Sequence, residues 1–321
     1  MRMYKRSRLA GILGCAATLA MVGCAANSGV APLGATATTQ QQAGAMVPAG
    51  KEWVYSGGVL YHTPHYMPTR QNASKVRQAV ALSYGGGPVL VAPKVYLIIW
   101  GWRSNGGDPD KVKRLLRRYD RFIGGSGHDN IYTQYYMKSG GSTINITNPA
   151  NQDGGEWADN TTPVPSHPTD SQVAQEALNG VAHFGYDPSG SYVVATPTQH
   201  SSSGFGSVWC AYHSATTYNG KYVSYTNLPY MPDAAGNCGS NIIAPPSDET
   251  GTDEGVTIVE GHELGESITD PVPFSGWNSS YGEIGDLCAW YNIQNDPFGA
   301  KSYTSQPMWS NASSSCVHSY P

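Results

Sequence analysis

The chain has 321 residues, of which 13% are charged, and it is rich in Gly (38) and Tyr (21). It carries 19 basic and 23 acidic side chains, and the four basic ones nearest the N-terminus belong to a leader segment: Arg2, Lys5, Arg6 and Arg8. Without that leader, 15 basic and 23 acidic side chains remain, a net charge of −8. An acidic chain with no basic patch is repelled by phosphates, which excludes nucleic acid as an expected partner.

The leader has the pattern of a secretory signal peptide over residues 1–24, because an uncharged apolar run from Leu9 to Val22 follows its basic residues. No later stretch approaches the roughly 18 apolar residues that a membrane span requires. The run ends in Met21-Val22-Gly23-Cys24, which resembles a bacterial lipobox and implies lipidation of Cys24. Met21 stands where leucine is usual, so ordinary cleavage stays open. We expect export, either as an outer-membrane or cell-surface lipoprotein held by its lipid anchor or as a secreted protein.

Two regions of different composition follow the leader. Residues 25–50 carry no charge and are dominated by small and polar side chains, which bury too little apolar surface to fold, so we expect a flexible tether. Residues 51–321 show no internal repeat and no second linker. We therefore predict a single globular domain, and we expect it to be monomeric.

The first strong element of the domain is the apolar run Val95–Trp100, which is typical of a central strand buried on both faces. Asp108-Pro109 then supplies an N-cap and a first-turn proline for an amphipathic helix that Gly124 ends. A second helix is predicted from Thr169 or Asp170. Strands are predicted at Ser191–Ala195, around 208–213 and around 222–225. This mixture predicts an α+β or mixed α/β domain with a central sheet.

Four cysteines lie beyond the leader: Cys210, Cys238, Cys288 and Cys316. An even number in an exported protein indicates two disulfides. Three pairings are available, and the shortest loops give Cys210–Cys238 and Cys288–Cys316. The alternative, a four-cysteine zinc site, needs closely spaced C-x2-C pairs, which the sequence lacks.

A further helix is predicted from about Thr252 or Asp253 to Thr269, because Pro271 disfavours helical geometry at the preceding residue. It contains HELGE at positions 262–266, which departs from the H-E-x-x-H zinc motif only in its last residue. His262 and Glu266 share one helical face, and a carboxylate is an accepted zinc ligand. In such a motif these two residues hold the metal, and Glu263 takes a proton from the attacking water.

Glycines at 261 and 265 also stand out, since each costs about 1 kcal/mol relative to alanine inside a helix. They indicate a close approach of backbone or ligand beside His262, or simply tight helix packing. A lone His-Glu pair is more often a solvated face or a satisfied buried histidine than a metal site.

The third ligand is expected from Tyr281–Cys288, where Cys288 would be held by a disulfide. Glu283 is our choice, with Asp286 orienting a ligating histidine, and the opposite assignment is the alternative. The metal-site region then spans about 252–290. Zinc is the expected ion, and manganese is the alternative because two carboxylate ligands weaken zinc as a Lewis acid.

Two family resemblances bear on this region. HELGESITD, residues 262–270, resembles the active-site helix HELTHAVTD of thermolysin-like peptidases, which implies a zincin-like domain with a downstream glutamate ligand. The chain more broadly resembles the phosphate-induced, EXORDIUM-like proteins of plants and their bacterial relatives. That likeness rests on H-E-x-x-E, Thr269-Asp270-Pro271, Trp277, the E-I-x-D-L-C block at Glu283–Cys288, and the segments near Val95–Trp102 and Cys210. It implies secretion and an extracellular or cell-wall setting.

The remaining histidines are weaker candidates. His62 and His65 have a spacing that a metal could use, but their aromatic, proline-containing segment predicts plain surface. His213 and His318 each lie near a cysteine and could stabilise the oxyanion of a tetrahedral intermediate.

Two functions follow from these patterns. The first is an exported zinc-dependent endopeptidase that acts on extracellular or cell-wall peptides, with Glu263 as general base and His262, Glu266 and Glu283 as ligands. The alternative is a non-catalytic cell-surface or wall-associated binding protein whose Tyr and Trp side chains stack on sugars or peptides.

Overall fold

The computed structural model describes residues 53–74 and 80–321, so the predicted signal peptide, Cys24 and the predicted tether lie outside the described residues. Three α-helices occur within the described ranges: α1 Val112–Ile123, α2 Asp170–Phe184 and α3 Glu254–Thr269. The strands are β1 Trp53–Ser56, β2 Val59–His62, β3 His65–Pro68, β4 Ser83–Tyr84, β5 Lys94–Trp100, β6 Tyr136–Ser139, β7 Ser142–Asn145, β8 Asp153–Asp159, β9 Gly190–Ala195, β10 Trp209–Tyr218, β11 Lys221–Leu228, β12 Trp277–Asn278, β13 Gln294–Phe298, β14 Lys301–Ser305, β15 Met308–Ser310 and β16 Ser315–Val317.

One mixed sheet of eight strands organises the fold, in the order β1-β2-β10-β11-β9-β5-β8, with β3 also paired to β10. Strands β8, β5, β9 and β11 are mutually parallel, whereas β10 runs antiparallel to β11 and to both β2 and β3. Four two-stranded ribbons complete the described strands. The chain therefore has an α+β fold with a multi-strand central sheet, as the sequence predicts.

Strand β5 lies inside this sheet and is buried on both faces, as its continuous apolar run predicts. Leu97 and Ile99 point into the core that contains α1 and α3. Ile98 and Trp100 point into the opposite core, which α2 covers. Because side chains alternate along a strand, a strand covered by helices on both sides must be apolar at every position.

The helix boundaries follow local sequence signals. Helix α1 begins at Val112, later than predicted, because Lys111 adopts a left-handed conformation (φ 64°). The Asp108 carboxylate still caps it, accepting the N–H groups of Val112 and Lys113 at 2.8 and 3.2 Å. The predicted end at Gly124 is confirmed.

Helix α2 starts as predicted at Asp170, where Thr169 and Gln172 form a reciprocal capping box. Helix α3 ends at Thr269, also as predicted. The predicted strands near 208–213 and 222–225 are confirmed in type but extend further, as β10 and β11.

Both predicted disulfides are present. Cys210 and Cys238 are joined with an S–S distance of 2.02 Å, and Cys288 and Cys316 with 2.05 Å. Disulfides are typical of proteins that work in oxidising compartments outside the cytosol. Among the helices of the described ranges, none is long and apolar enough to cross a membrane.

Candidate metal centre

The His-Glu motif lies in the middle of α3, a helix whose every residue is buried. Helix α3 packs against α1 and against strands β10 and β11, with β3 close by. The side chains of His262, Glu263 and Glu266 are fully inaccessible to solvent. A solvated helix face therefore does not explain them, and their charges must be balanced inside the protein.

Gly261 and Gly265 serve the packing of this helix. A methyl group at Gly261 would overlap the hydroxyl of Tyr119, and one at Gly265 would lie 2.7 Å from the hydroxyl of Tyr132. Both tyrosines are fully buried. The contacts therefore explain the two glycines by tight packing of α3 against two tyrosines.

His262 lies between two carboxylates. Its Nε2 is 3.1 Å from Oε1 of Glu266 and 3.8 Å from Oδ1 of Asp286. Its Nδ1 is 3.0 Å from the amide nitrogen of Gln306, which holds the ring. Despite the short distance to Glu266, Nε2 has no partner with hydrogen-bond geometry. Because the amide nitrogen of Gln306 donates to Nδ1, Nε2 of the neutral ring carries a proton that faces Glu266, and a cation at this nitrogen would have to displace that proton.

The two acids expected downstream both enter the centre, but at different histidines. Asp286 approaches His262, and its backbone N–H donates to Oε1 of Glu266 at 3.1 Å. Glu283 is instead 3.5 Å from Nε2 of His213 and 4.0 Å from Nδ1 of His65. Asp286 is thus the downstream acid nearer His262, and Glu283 is the one nearer His213.

His65, a weaker candidate from the sequence, is a member of the centre. It belongs to strand β3, and its Nε2 lies 2.6 Å from Oδ2 of Asp286. The prediction that its segment is plain surface is wrong, because only 13% of the His65 side chain is exposed. The alternation of His65 with the fully buried Met67 along β3 is the sequence signal that could have indicated an inward-facing histidine.

His213 enters the centre from strand β10, directly opposite His65 in the antiparallel register. Its Nδ1 lies 3.4 Å from Oε2 of Glu263 and 3.4 Å from Oε2 of Glu266. Its Nε2 is 3.2 Å from the carbonyl oxygen of Asp270. The other two histidines considered lie elsewhere: Nδ1 of His62 contacts the carbonyl oxygen of Thr63, and His318 pairs with Asp296.

Burial and neighbouring charges shift the pKa values of these groups in opposite directions. Burial and the Glu266 carboxylate raise the pKa of Glu263 well above its ordinary value. Burial would also raise the pKa of Glu266, but His262 and His213 bring it well below its ordinary value. Burial would lower the pKa of His65, but Asp286 raises it to about 9. Groups with such divergent shifts in one cluster are typical of functional sites.

Seven buried ligand atoms in the centre have no hydrogen-bond partner: His213 Nδ1, His262 Nε2, Glu263 Oε1 and Oε2, Glu266 Oε2, and Glu283 Oε1 and Oε2. Buried polar atoms are nearly always paired, because desolvation without a partner is costly. Two sets of three residues bring their ligand atoms within 4.8 Å of one another: His65, Glu266 and Asp286, and His213, Glu263 and Glu266. His262 belongs to neither set, although its Nε2 is 3.1 Å from Glu266 and 3.8 Å from Asp286. Imidazole nitrogens and carboxylate oxygens suit zinc or manganese, so the donor set fits a divalent ion.

Solvent reaches the centre at one side. Among the ligand-type side chains of the centre, those of His65 and Asp286 are 13% and 14% exposed. The ring of Phe274, which is 52% exposed, meets the ring of His65 edge-on at 4.9 Å between centroids. Phe274 lies in the turn that follows α3, and the carboxylate of Asp270 holds this turn by accepting the backbone N–H of Ser275 at 3.0 Å.

Comparisons with known proteins found no family model and no curated protein that matches the sequence, and no solved structure that matches the fold.

Proposed function

We propose that this protein is an exported metal-dependent endopeptidase, with zinc as the expected ion and manganese as the alternative. The observation that carries the proposal is the convergence of the α3 motif and the downstream acids on one buried centre, where seven ligand atoms lack a hydrogen-bond partner. A purely structural His-Glu pair would satisfy its own polar atoms. Here the unpaired atoms are nitrogens and oxygens of the kind that bind divalent ions.

The contacts suggest a role for each residue. His262 and Glu266 would hold the ion, with Asp286 preferred to Glu283 as the third ligand because it approaches His262. Zinc, when bound, supplies a Lewis acid that polarises a carbonyl group and makes water more acidic. Glu263 would accept the proton, because both its oxygens are unpaired and its raised pKa makes its ionised form a stronger base than an exposed glutamate.

A peptide substrate fits the side of the centre that solvent reaches. His65 lies there on β3, which pairs with β10 alone among the described strands. Because Trp290 already donates to the carbonyl oxygen of Pro68, an extended peptide would pair with the His65 end of β3 and bring its backbone carbonyl to the ligands.

The decisive experiment compares wild type with Glu263→Gln, which removes the proton acceptor with little change in shape. Both proteins are purified without chelator, analysed for metal, and incubated with a peptide library. We expect metal in both, cleavage by wild type, and a loss of about 100-fold or more in the variant. The matched control is Glu176→Gln, a buried acid of α2 on the opposite face of the sheet, which should cleave like wild type.

Two results would contradict the proposal. One is the absence of zinc and manganese from folded wild-type protein. The other is cleavage by Glu263→Gln at the wild-type rate.

A non-catalytic binding protein is the second candidate, favoured by one observation. A groove of about 460 Å³ is lined by Tyr66, Pro68, Val208 and Trp209, with Asn72 and Ser203 among its polar groups. Aromatic rings beside a few polar groups suit stacking on sugars. If wild type binds purified cell wall without cleaving peptides, and Tyr66→Ala abolishes that binding, this candidate replaces the peptidase.

A further inference from the structure

Glu266 stands between two clusters of ligand atoms. Its Oε1 lies 3.1 Å from Nε2 of His262 and accepts the backbone N–H of Asp286 at 3.1 Å. Its Oε2 lies 3.4 Å from Nδ1 of His213. The two oxygens of one carboxylate therefore face different histidines. This is the arrangement of a carboxylate that bridges two cations.

The cluster around His213 has the dimensions of a cation site. Nδ1 of His213 is 3.4 Å from Oε2 of Glu263 and equally far from Oε2 of Glu266. These separations exceed the usual length of a hydrogen bond. They match the distance between two ligands of one tetrahedral ion, about 3.4 Å when each lies about 2.1 Å from the metal. None of the three atoms has a hydrogen-bond partner.

The hydrogen bond made by Nε2 of His213 determines the tautomer of its ring. Nε2 lies 3.2 Å from the carbonyl oxygen of Asp270, which can only accept, so Nε2 donates. Nδ1 of the neutral ring then presents a lone pair to the carboxylates of Glu263 and Glu266. With Glu263 ionised, three acceptors face one another with no donor between them. A metal-binding histidine held by a backbone carbonyl has this same pattern.

The centre holds more carboxylates than its three histidines could balance. Glu263, Glu266, Glu283 and Asp286 are four carboxylates with a formal charge of −4, and their ion-pair partners in the described part of the chain are histidines. Even three protonated histidines would leave one formal negative charge, which a cation in the centre would balance. Uncompensated buried charge is strongly unfavourable.

We propose that the centre has a second divalent-cation subsite, formed by His213, Glu263 and Glu266 and joined through Glu266 to the first. The proposal rests on the proposed function for the ion at His262, Glu266 and Asp286. Zinc and manganese suit its one nitrogen and two carboxylate ligands. Occupation of this subsite would engage Oε2 of Glu263, the residue assigned as proton acceptor. The singly loaded protein should therefore be the active form, and the doubly loaded protein the slower one.

The test uses the metal-free mature protein and Mn²⁺ alone. Equilibrium dialysis gives the number of ions per chain, and electron paramagnetic resonance reports whether two ions are close enough for their spins to couple. We expect two ions with a spin-coupled signal in wild type. Glu263→Gln should bind one ion and lose the coupling, whereas the Glu176→Gln control should retain both. Circular dichroism verifies that each variant is folded, and His213→Gln provides an independent change in the same subsite.

The possible outcomes distinguish failure of the second subsite from failure of the peptidase proposal. A single ion in wild type, with cleavage that Glu263→Gln abolishes, overturns the second subsite and leaves the peptidase proposal standing. No bound ion in folded wild type overturns both. Two coupled ions in both subsite variants would show that the ligands are wrongly assigned.

Discussion

Replacement of Gly261 by alanine should destabilise the protein through one atom, the hydroxyl oxygen of Tyr119. The added methyl group would overlap that oxygen, whereas the next nearest ring atom, Cζ, lies 3.5 Å away in ordinary contact. Overpacking of a buried site costs about 1–3 kcal/mol. Alanine recovers about 1 kcal/mol of helix propensity. We therefore expect a net loss of about 0–2 kcal/mol.

Removal of the Tyr119 hydroxyl should reverse the sign of this effect. That oxygen is buried without a hydrogen-bond partner, so Tyr119→Phe breaks no hydrogen bond. In the Phe background the methyl group at 261 meets no overlap, and Gly261→Ala should stabilise the protein by about 1 kcal/mol. The double-mutant cycle should therefore give a favourable coupling of about 1–3 kcal/mol.

The measurement is guanidinium denaturation of the four proteins of the cycle, followed by circular dichroism. Gly265→Ala with Tyr132→Phe is the matched control. There the ring atoms Cε1 and Cζ remain 3.1 Å from the added methyl group, so loss of the hydroxyl relieves only part of the overlap and the coupling should be smaller. If Gly261→Ala has the same effect in the Tyr and Phe backgrounds, the glycine is not there to accommodate Tyr119.

Two further perturbations test other parts of the molecule. The Cys288–Cys316 disulfide joins residues 28 apart, begins two residues after Asp286 and should stabilise the fold by about 2–4 kcal/mol. The Cys288→Ser/Cys316→Ser variant should lose bound metal even when it is folded, with Cys210→Ser/Cys238→Ser as the control. Full metal occupancy in the folded Cys288→Ser/Cys316→Ser variant would contradict the placement of Asp286. Burial raises the pKa of Glu176 from 4.5 to about 8, so the folded protein holds a proton that the unfolded chain releases, and stability should fall between these pH values. Thermal denaturation should show a smaller loss of stability between pH 5 and pH 8 in Glu176→Gln than in wild type. The same pH dependence in both proteins would contradict the raised pKa of Glu176.

The local elements could be predicted because their causes lie within short segments. The six apolar residues Val95–Trp100 require a strand covered on both faces, and β5 is such a strand. Thr169 and Gln172 cap α2 through their own side chains. The positions of the cysteines give the disulfide pairing, since short loops close most readily. The shared face of His262 and Glu266 follows from the pitch of a helix.

Membership of the centre could not be predicted in the same way. His65 and His213 are brought together only by the register of β3 on β10, and a shift of β3 by one residue would turn His65 to the opposite face. Glu283 and Asp286 lie three residues apart, and their different histidine neighbours depend on how the chain after α3 packs against the sheet edge. Sequence spacing specifies geometry within one helix or strand, whereas the position of one element on another depends on the packing of the whole core.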